Sequence, residues 1–321
     1  GQLRLSMKVL YHHPAGAQLR RRFAELAKDD IAVTVVEAAA GPALDAALAE
    51  TEVLWHCLYP IDAAFLEKAP KLRLIQKIGV GVNTIDRQTA AARGVTVCNL
   101  PGSNAPAVAE QTLALMLATL RQLPQLDAAM RRGQGWALTP QLEDGLGELS
   151  GRRVGLVGWG ATAQRLAPVL AALGAKVAFC AQRTHGAPYA QRSFEALLAQ
   201  SDVLSLHLPL TEATAHMLDA KALARLPAGA IVINTARGGL IDEGALLAAL
   251  RKGALAGAGL DVFDQEPLPE DHPFLSLPQV VLTPHSAWLT QETLTRSLTT
   301  AVANLHALRS GGPLHHEVPP P

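Results

Sequence analysis

Short β-branched runs alternate with longer Ala- and Leu-rich runs from one end of this chain to the other. That alternation is the βαβ pattern of a parallel sheet covered by helices on both faces, and it occurs in two blocks. The first holds five candidate strands, Lys8–Tyr11, Val33–Val36, Val53–Cys57, Leu74–Ile78 and Val95–Cys98, with helical stretches such as Gln18–Lys28 and Leu44–Glu50 between them. The second opens at Arg153–Gly158 and continues with strands at Lys176–Cys180, Val203–His207, Ile231–Asn234, Gly259–Val262 and Val280–Leu282. Between the blocks a helix is predicted from a cap at Asn104, with Pro106 in its first turn, to about Leu123. Val108, Leu113, Leu115, Met116, Leu117 and Leu120 surround its axis, so burial on several sides is expected. A last helix is predicted over residues 291–309, followed by a loose tail from Gly311 to Pro321.

Composition narrows the function classes. Hydrophobic residues make up 49% and charged residues 17% of the 321 positions, which suffices for substantial cores and leaves too little charge for disorder. Lys plus Arg and Asp plus Glu both number 28, and a net charge near zero argues against nucleic acid or an anionic membrane surface as partner. No apolar run approaches the roughly 20 residues needed to span a bilayer. Gly1–Ser6 carry no signal-peptide pattern, and Met7 is a candidate natural start. Cys57, Cys98 and Cys180 show no CxxC spacing and read as reduced, buried thiols. A cytoplasmic protein is expected.

The first motif is Gly158-Trp159-Gly160-Ala161-Thr162-Ala163, which follows a strand and opens a helix whose face runs Ala163, Leu166, Leu170, Leu173. Gly158 permits the tight turn, Gly160 lets backbone approach a pyrophosphate, and the helix start supplies free N–H groups and a positive dipole end. The next strand of such a unit usually ends in an acid that binds the ribose hydroxyls. Here it ends Cys180-Ala181-Gln182-Arg183-Thr184-His185, and no acid follows until Glu195. Absence of a carboxylate together with Arg183 favours a 2′-phosphate, hence NADP over NAD, against a plain surface arginine beside a permissive site.

Three further segments each follow a second-block strand: Ile233–Gly239, Gly259–Pro267 and Leu282–Trp288. The carboxyl ends of strands line the ligand crevice of open α/β sheets. Reducing a 2-oxo acid needs a fixed cation for the carboxylate and keto oxygen, and a proton donor for that oxygen. Arg237 offers a bidentate fork, His285 a donor, and a neighbouring Glu266 would favour the protonated imidazole. Taken singly, each has a bland explanation: a helix-start arginine, a turn-capping glutamate, a structural histidine. Together, at strand ends of one nucleotide-binding block, they point to hydride transfer coupled to proton transfer.

The chain resembles the D-isomer-specific 2-hydroxyacid dehydrogenase family over roughly Leu74–Thr290, in character nearest its NADP-linked glyoxylate/hydroxypyruvate reductases. The resemblance rests on Lys77-Ile78-Gly79-Val80-Gly81, Pro101-Gly102-Ser103-Asn104 with Val108-Ala109-Glu110, the glycine loop, His207-Leu208-Pro209-Leu210-Thr211 and the three segments above. It implies an α/β fold of two Rossmann-like, doubly wound parallel-sheet domains with the active site in the cleft between them. A substrate domain would comprise residues 1–103 and 288–321, and a cofactor domain residues 104–287. It implies catalytic Arg237, Glu266 and His285, with backbone N–H groups around Val80 and Gly81 holding the substrate carboxylate. Leu58, Tyr59 and Trp288 would shape the pocket. The cofactor would lie along Thr112, the glycine loop, Gln182, Arg183, Thr184, His207, Pro209, Thr214, Thr235, Ala236, Asp261, Arg237 and His285. The resemblance also implies a small-molecule 2-oxo or 2-hydroxy acid as substrate and NADP or NAD as cofactor. A homodimer is expected because one small domain can hardly cover the all-round apolar helix. No regulatory domain follows the last helix, so feedback control of the phosphoglycerate dehydrogenase type is not expected. Two alternatives stand beside this reading. One is a formate- or phosphite-type dehydrogenase, disfavoured because formate-type sites pair the histidine with an amide. The other is a nucleotide-sensing corepressor-like protein on the same fold. The particular 2-oxo acid is not readable from the sequence.

Overall fold

A computed structural model describes residues 5–136 and 139–321, and the chain divides into two compact units. Unit 1 comprises Gly1–Asn104 and Gln291–Pro321; unit 2 comprises Ala105–Thr290.

Unit 1 begins with β1 (Met7–His12), α1 (Ala17–Glu25), β2 (Ile31–Val35), α2 (Pro42–Glu50) and β3 (Val53–His56). It continues through α3 (Ala63–Glu67), β4 (Leu74–Lys77), α4 (Arg87–Ala92) and β5 (Thr96–Cys98). Its five strands are all parallel, in the order β2-β1-β3-β4-β5. This is one of the doubly wound orders, and its direction switches between β1 and β3. β3 and β4 are buried at every position, as strands of a covered parallel sheet should be, and each ends in polar residues: His56 in β3, Gln76 and Lys77 in β4.

Unit 2 opens with α5 (Ala105–Arg121), α6 (Leu123–Arg131) and α7 (Pro140–Gly145), then β6 (Arg153–Val157), α8 (Ala161–Ala172), β7 (Lys176–Cys180) and β8 (Ala190–Gln191). It ends with α9 (Phe194–Ala199), β9 (Val203–Leu206), α10 (Ala220–Ala224), β10 (Ala230–Asn234), α11 (Glu243–Arg251), β11 (Leu255–Leu260) and β12 (Val280–Leu282). The seven parallel strands lie in the order β12-β11-β10-β9-β6-β7-β8, so the direction switches between β6 and β9. Alternate residues feed two cores. Val154, Leu156, Ile231 and Ile233 join one, while Val157, Ala230 and Val232 join the other. The sheet is therefore covered on both faces, as the alternation in sequence requires. The chain then returns to unit 1 as α12 (Gln291–Ser310).

Several expectations need correcting. β11 starts at Leu255, four positions before the expected Gly259. Its Leu-Ala-Gly-Ala-Gly-Leu sequence carries no β-branched residue, because α5 packs directly on it. A Cβ on Gly257 would meet the Gln279 carbonyl at 2.7 Å, and one on Gly259 would meet Leu115 and Thr119 of α5 at 3.0 Å. The two-residue β8 was too short to leave a periodic signal. α5 stops at Arg121, where Gln122 turns left-handed with φ 51°, and α6 follows. α5 packs on α8, β10, β11 and β12, so its own unit covers much of its apolar surface, although Leu117 stays exposed. Cys57 and Cys98 are buried free thiols, but Cys180 at the end of β7 is partly exposed. The tail is not loose. Cys98 pairs antiparallel with Glu317, and Val318 donates its N–H to the Val97 carbonyl at 2.8 Å. No helix among the described residues is long and apolar enough to cross a membrane, and no cluster of three or more His, Cys, Asp or Glu among them could hold a metal.

Candidate functional site

The glycine loop sits at the switch point of unit 2. Gly158 has φ +104°, and a Cβ there would lie 2.3 Å from the His207 carbonyl oxygen at the end of β9. Only glycine fits, because the loop after β6 presses on the chain leaving β9. Gly160 is the residue before α8 and faces open space, with nothing within 4 Å of where a Cβ would stand. No side chain caps α8, and its first turn, Ala161-Thr162-Ala163, contains no acid. The positive end of the helix and its N–H groups are thus available to an anion. Ala163 is fully buried, and the small third position lets the helix close on the sheet. Trp159 stacks on Phe179 of β7 at 4.1 Å between ring centroids, with Tyr189 at 5.7 Å. These features fit a dinucleotide pyrophosphate.

At the end of β7, Gln182, Arg183 and Thr184 are exposed. Gln191 of β8 fixes their turn by donating to the Arg183 carbonyl at 2.9 Å and accepting from the His185 N–H at 3.0 Å. The β8 strand that periodicity missed therefore shapes the place where a ribose would be read. His207 bonds the Ser205 hydroxyl at 2.8 Å, and burial pulls its pKa down to about 4, so the ring is neutral. Thr214 closes a turn by donating to the Pro209 carbonyl at 2.8 Å and accepting from the Thr211 N–H at 2.8 Å. Thr112 of α5 and Thr235 after β10 are both buried and share a hydrogen bond of 2.8 Å.

Three neighbouring strand ends of unit 2 carry the charged groups. Arg237 follows β10, Glu266 lies in the loop after β11, and His285 follows β12. His285 Nδ1 and Glu266 Oε2 are 2.6 Å apart, with the two side chains 17% and 32% exposed, so this short pair is half shielded from water. The other Glu266 oxygen accepts the Phe263 N–H at 3.1 Å. Burial alone would push the Glu266 carboxyl up. The hydrogen bond and charge of His285, the Phe263 N–H and the charge of Arg237 outweigh it and hold the group below the usual carboxylate range. Burial lowers the Arg237 guanidinium from its ordinary value while Glu266 opposes the shift. The Arg237 loop is locked onto the Glu266 loop at Gly238, where a Cβ would come within 2.0 Å of the Phe263 backbone. Asn234 secures the same loop by donating to the Arg237 carbonyl at 2.9 Å and accepting from the Ala236 N–H at 3.0 Å.

The turn bearing His285 is clamped from beneath. Asp261 is fully buried, and its carboxylate accepts the Thr283 hydroxyl at 2.6 Å and the N–H groups of Ser286 and Ala287 at 2.9 and 3.1 Å. Its carbonyl accepts the His285 N–H at 2.8 Å. Trp288, 7% exposed, donates its indole N–H to the His285 carbonyl at 2.8 Å. His285 itself has φ +49°, a left-handed conformation that these bonds maintain. Asp261 and Trp288 thus brace the histidine.

In unit 1, β4 ends in the loop Ile78–Val82. The Gly79 and Val80 carbonyls accept hydrogen bonds, whereas the N–H groups of Gly79, Val80, Gly81 and Val82 donate to no acceptor among the described residues. Consecutive free amides of this kind can serve as a nest for an anion. Gly79 has φ +150° and packs on Lys77, whose buried ammonium donates to the Cys57 carbonyl. Leu58 and Tyr59 are half-buried in the loop after β3; the Tyr59 hydroxyl donates to the Glu37 carbonyl at 2.8 Å and its ring lies 4.5 Å from His12. The sequence motif located Val80 and Gly81, but it did not disclose Lys77 or Asn99 as supports. Their signal was a polar residue at the end of each of two buried strands.

Comparison with known proteins agrees with this geometry. Residues 113–287 match the family model described as D-isomer specific 2-hydroxyacid dehydrogenase, NAD binding domain. A glyoxylate reductase of Aeropyrum pernix is 39% identical over 271 residues, covering 81% of this chain and 78% of that protein. The crystal structure of the TT0316 protein from Thermus thermophilus superposes with a TM-score of 0.88 at 37% identity, covering 98% of this chain and all of that one. An NADPH-dependent glyoxylate/hydroxypyruvate reductase from Sinorhizobium meliloti, solved with NADP and malonate, gives a TM-score of 0.80 at 29% identity over 97% of this chain and 96% of its own. With its glycine loop at the sheet switch point and Arg237, Glu266 and His285 on adjacent strand ends, the chain belongs to the D-isomer specific 2-hydroxyacid dehydrogenase family, oxidoreductases that move a hydride between a nicotinamide cofactor and a small 2-oxo acid.

Proposed function

We infer that this protein reduces a small 2-oxo acid of the glyoxylate or hydroxypyruvate type to its D-2-hydroxy acid, with NADP preferred as cofactor. The observation that carries the reading is the 2.6 Å pair between His285 Nδ1 and Glu266, with the half-buried Arg237 on the adjacent strand end. A bound dihydronicotinamide supplies the hydride for the keto carbon. Gly158–Ala163 hold the pyrophosphate by their amides, while Gln182, Arg183 and Thr184 read the ribose end. Thr112, His207, Pro209, Thr214, Thr235, Ala236 and Asp261 line or brace the remainder of the cofactor site. Glu266 fixes the imidazole through Nδ1, leaving Nε2 as the atom that protonates the developing alkoxide. Arg237 stabilises the negative charge on that oxygen and on the substrate carboxylate. The nest at Gly79–Val82 takes the carboxylate, and Leu58, Tyr59 and Trp288 limit the bulk of the adjoining group. Residues 1–103 with 288–321 serve the substrate and 104–287 the cofactor.

NADP preference is supported by the missing acid between Cys180 and Glu195 and by the exposed Arg183. The S. meliloti reductase with NADP is a relative of matching chemistry. The deciding assay follows NADPH oxidation spectroscopically against a panel of 2-oxo acids. Turnover of glyoxylate or hydroxypyruvate is expected; tight cofactor binding without turnover of any member would replace the enzyme by a nucleotide sensor. A cytoplasmic homodimer completes the proposal. Leu117, Leu123 and Met130, 39%, 59% and 48% exposed, supply an apolar surface on α5 and α6. Light scattering at micromolar concentration should give twice the chain mass, and a monomer would remove the dimer from the proposal.

A further inference from the structure

The nest in unit 1 is held by a segment that the chemistry itself does not use. The Val80 carbonyl accepts the Asn99 side-chain amide, Nδ2, at 3.0 Å, and the Gly79 carbonyl accepts the Leu100 N–H at 2.8 Å. With both carbonyls engaged by the chain leaving β5, rotation of the two peptide planes is restrained and the adjoining N–H groups keep one arrangement. Asn99 is fixed in turn by the C-terminal tail, since its own N–H donates to the His316 carbonyl at 3.1 Å. The tail is anchored on both sides. Val318 pairs with Val97, and the fully buried Asn304 of α12 accepts the His315 N–H at 2.7 Å and donates to the His315 carbonyl at 3.1 Å. Asn304 also donates to Gln76 at 2.7 Å, and Gln76 donates to the Lys77 carbonyl at 3.1 Å. The same tail therefore reaches the nest at its entry, through Gln76 and Lys77, and at its flank, through Asn99.

We propose that Asn99, locked by the C-terminal strap at residues 315–318, is a positioning residue that pre-forms the Gly79–Val82 nest for the substrate carboxylate. The inference rests on the reading above that this nest receives a carboxylate. A loop already ordered does not have to be ordered on binding, so its contribution is to affinity. A carboxylate is held alike in the ground state and the transition state, so loss of the support raises KM and leaves kcat nearly intact.

Three variants test this, with a fourth in reserve. Asn99→Ala removes the donor without adding charge. Asn99→Asp keeps the shape but sets an acceptor against the Val80 carbonyl. A chain ending at Gly312 lacks the strap, and Val318→Pro, which deletes the N–H given to Val97, replaces it should the shortened chain not fold. Five quantities are read: KM and kcat with glyoxylate and hydroxypyruvate, the Kd of oxalate, the Kd of NADPH, and amide hydrogen exchange over residues 79–82. Asn99→Ala should raise KM and the oxalate Kd about tenfold, change kcat less than about threefold, and leave NADPH binding alone. The strap variants should move the same quantities in the same direction, and exchange over residues 79–82 should quicken in every variant. A wild-type KM in Asn99→Ala overturns the inference, as does a rise confined to Asn99→Asp, which would be charge repulsion. So does a strap variant with unaltered KM and exchange, or a fall in kcat matching the rise in KM. A wild-type chain that reduces no 2-oxo acid and binds no oxalate overturns the underlying reading instead, and this inference with it.

Discussion

Both units present their polar groups at the carboxyl edge of a parallel sheet, but they are built from different material. In unit 1 the groups are backbone amides of Gly79–Val82, with Val80 41% exposed and no ionisable side chain within the loop itself. In unit 2 they are ionisable side chains, Arg237, Glu266 and His285, partly shielded, with buried Asn234 holding the Arg237 loop and buried Asp261 the His285 turn. Amides fixed in a loop can hold an anion but are far too weak as acids to give up a proton within a catalytic cycle. A carboxylate–imidazole pair can do so. On the proposed function, the difference gives binding to unit 1 and proton transfer to unit 2, and it makes an asymmetric demand on variants: damage to the first should appear in KM, damage to the second in kcat.

The largest effect should come from breaking the side-chain region. His285→Ala is expected to lower kcat for 2-oxo acid reduction at least about a hundredfold, the usual scale for a lost general acid. The dissociation constant of NADPH should barely change, since the glycine loop and the β7 end remain intact. Steady-state kinetics with a fluorescence titration of the cofactor measures both. Near-normal turnover in this variant would end the assignment of proton transfer to unit 2.

The same contrast explains what was legible in the sequence. Side chains are written in the sequence, so Arg237, Glu266 and His285 could be picked out by residue type and by their places after strands, and the His285–Glu266 contact then followed. The two-block βαβ architecture was equally readable, because periodicity follows from which faces are buried. Backbone function is not written in that way. Beside the four free amides at residues 79–82, the Val80 and Gly79 carbonyls accept from Asn99 and Leu100, about twenty positions away in sequence. The tail looked loose because Gly311-Gly312-Pro313 and the final prolines carry no periodicity, yet its anchoring comes from Asn304, a tertiary contact. β11 was misplaced for a related reason: its Gly257 and Gly259 answer to the approach of α5, not to strand propensity. Asp261 was expected along the cofactor from family resemblance; that its carboxylate clamps the His285 turn became visible only in the hydrogen bonds.

A smaller effect sharpens the comparison inside unit 2, where the cofactor site combines both materials. Backbone amides at Gly158–Ala163 should hold the pyrophosphate of either dinucleotide equally, whereas the side chains after β7 should choose between them. A charge-assisted arginine–phosphate contact contributes about 1.5–3 kcal/mol, or roughly a ten- to hundredfold preference. Arg183→Ala should therefore weaken NADPH by that factor and leave NADH nearly unchanged. Ala181→Asp should reverse the preference by repelling the 2′-phosphate and accepting the ribose hydroxyls. Values of kcat/KM for both cofactors in wild type and both variants decide it. A wild type that already prefers NADH, or an Arg183→Ala loss shared by both cofactors, would reassign selection away from these side chains.

The smallest expected effect is a displacement along the pH axis, and it tests whether Glu266 does more than hold a ring in place. The Glu266 carboxyl lies below the usual carboxylate range because His285, the Phe263 N–H and Arg237 together outweigh burial. It is therefore ionised throughout the neutral range and available as an acceptor to Nδ1 of His285. Acidification abolishes this support only when the carboxylate itself takes up a proton, below ordinary glutamate titration. In Glu266→Gln the amide can still bond Nδ1 but no longer stabilises a positive ring. The pH profile of kcat/KM for reduction, compared with that of wild type, reads out the difference. Any acid limb due to Glu266 should vanish, since Gln does not titrate. An unchanged profile with lowered kcat would leave Glu266 an orienting group alone. A profile that moves while kcat at its new optimum stays near that of wild type would show that the charge, more than the orientation, is what unit 2 adds to its histidine.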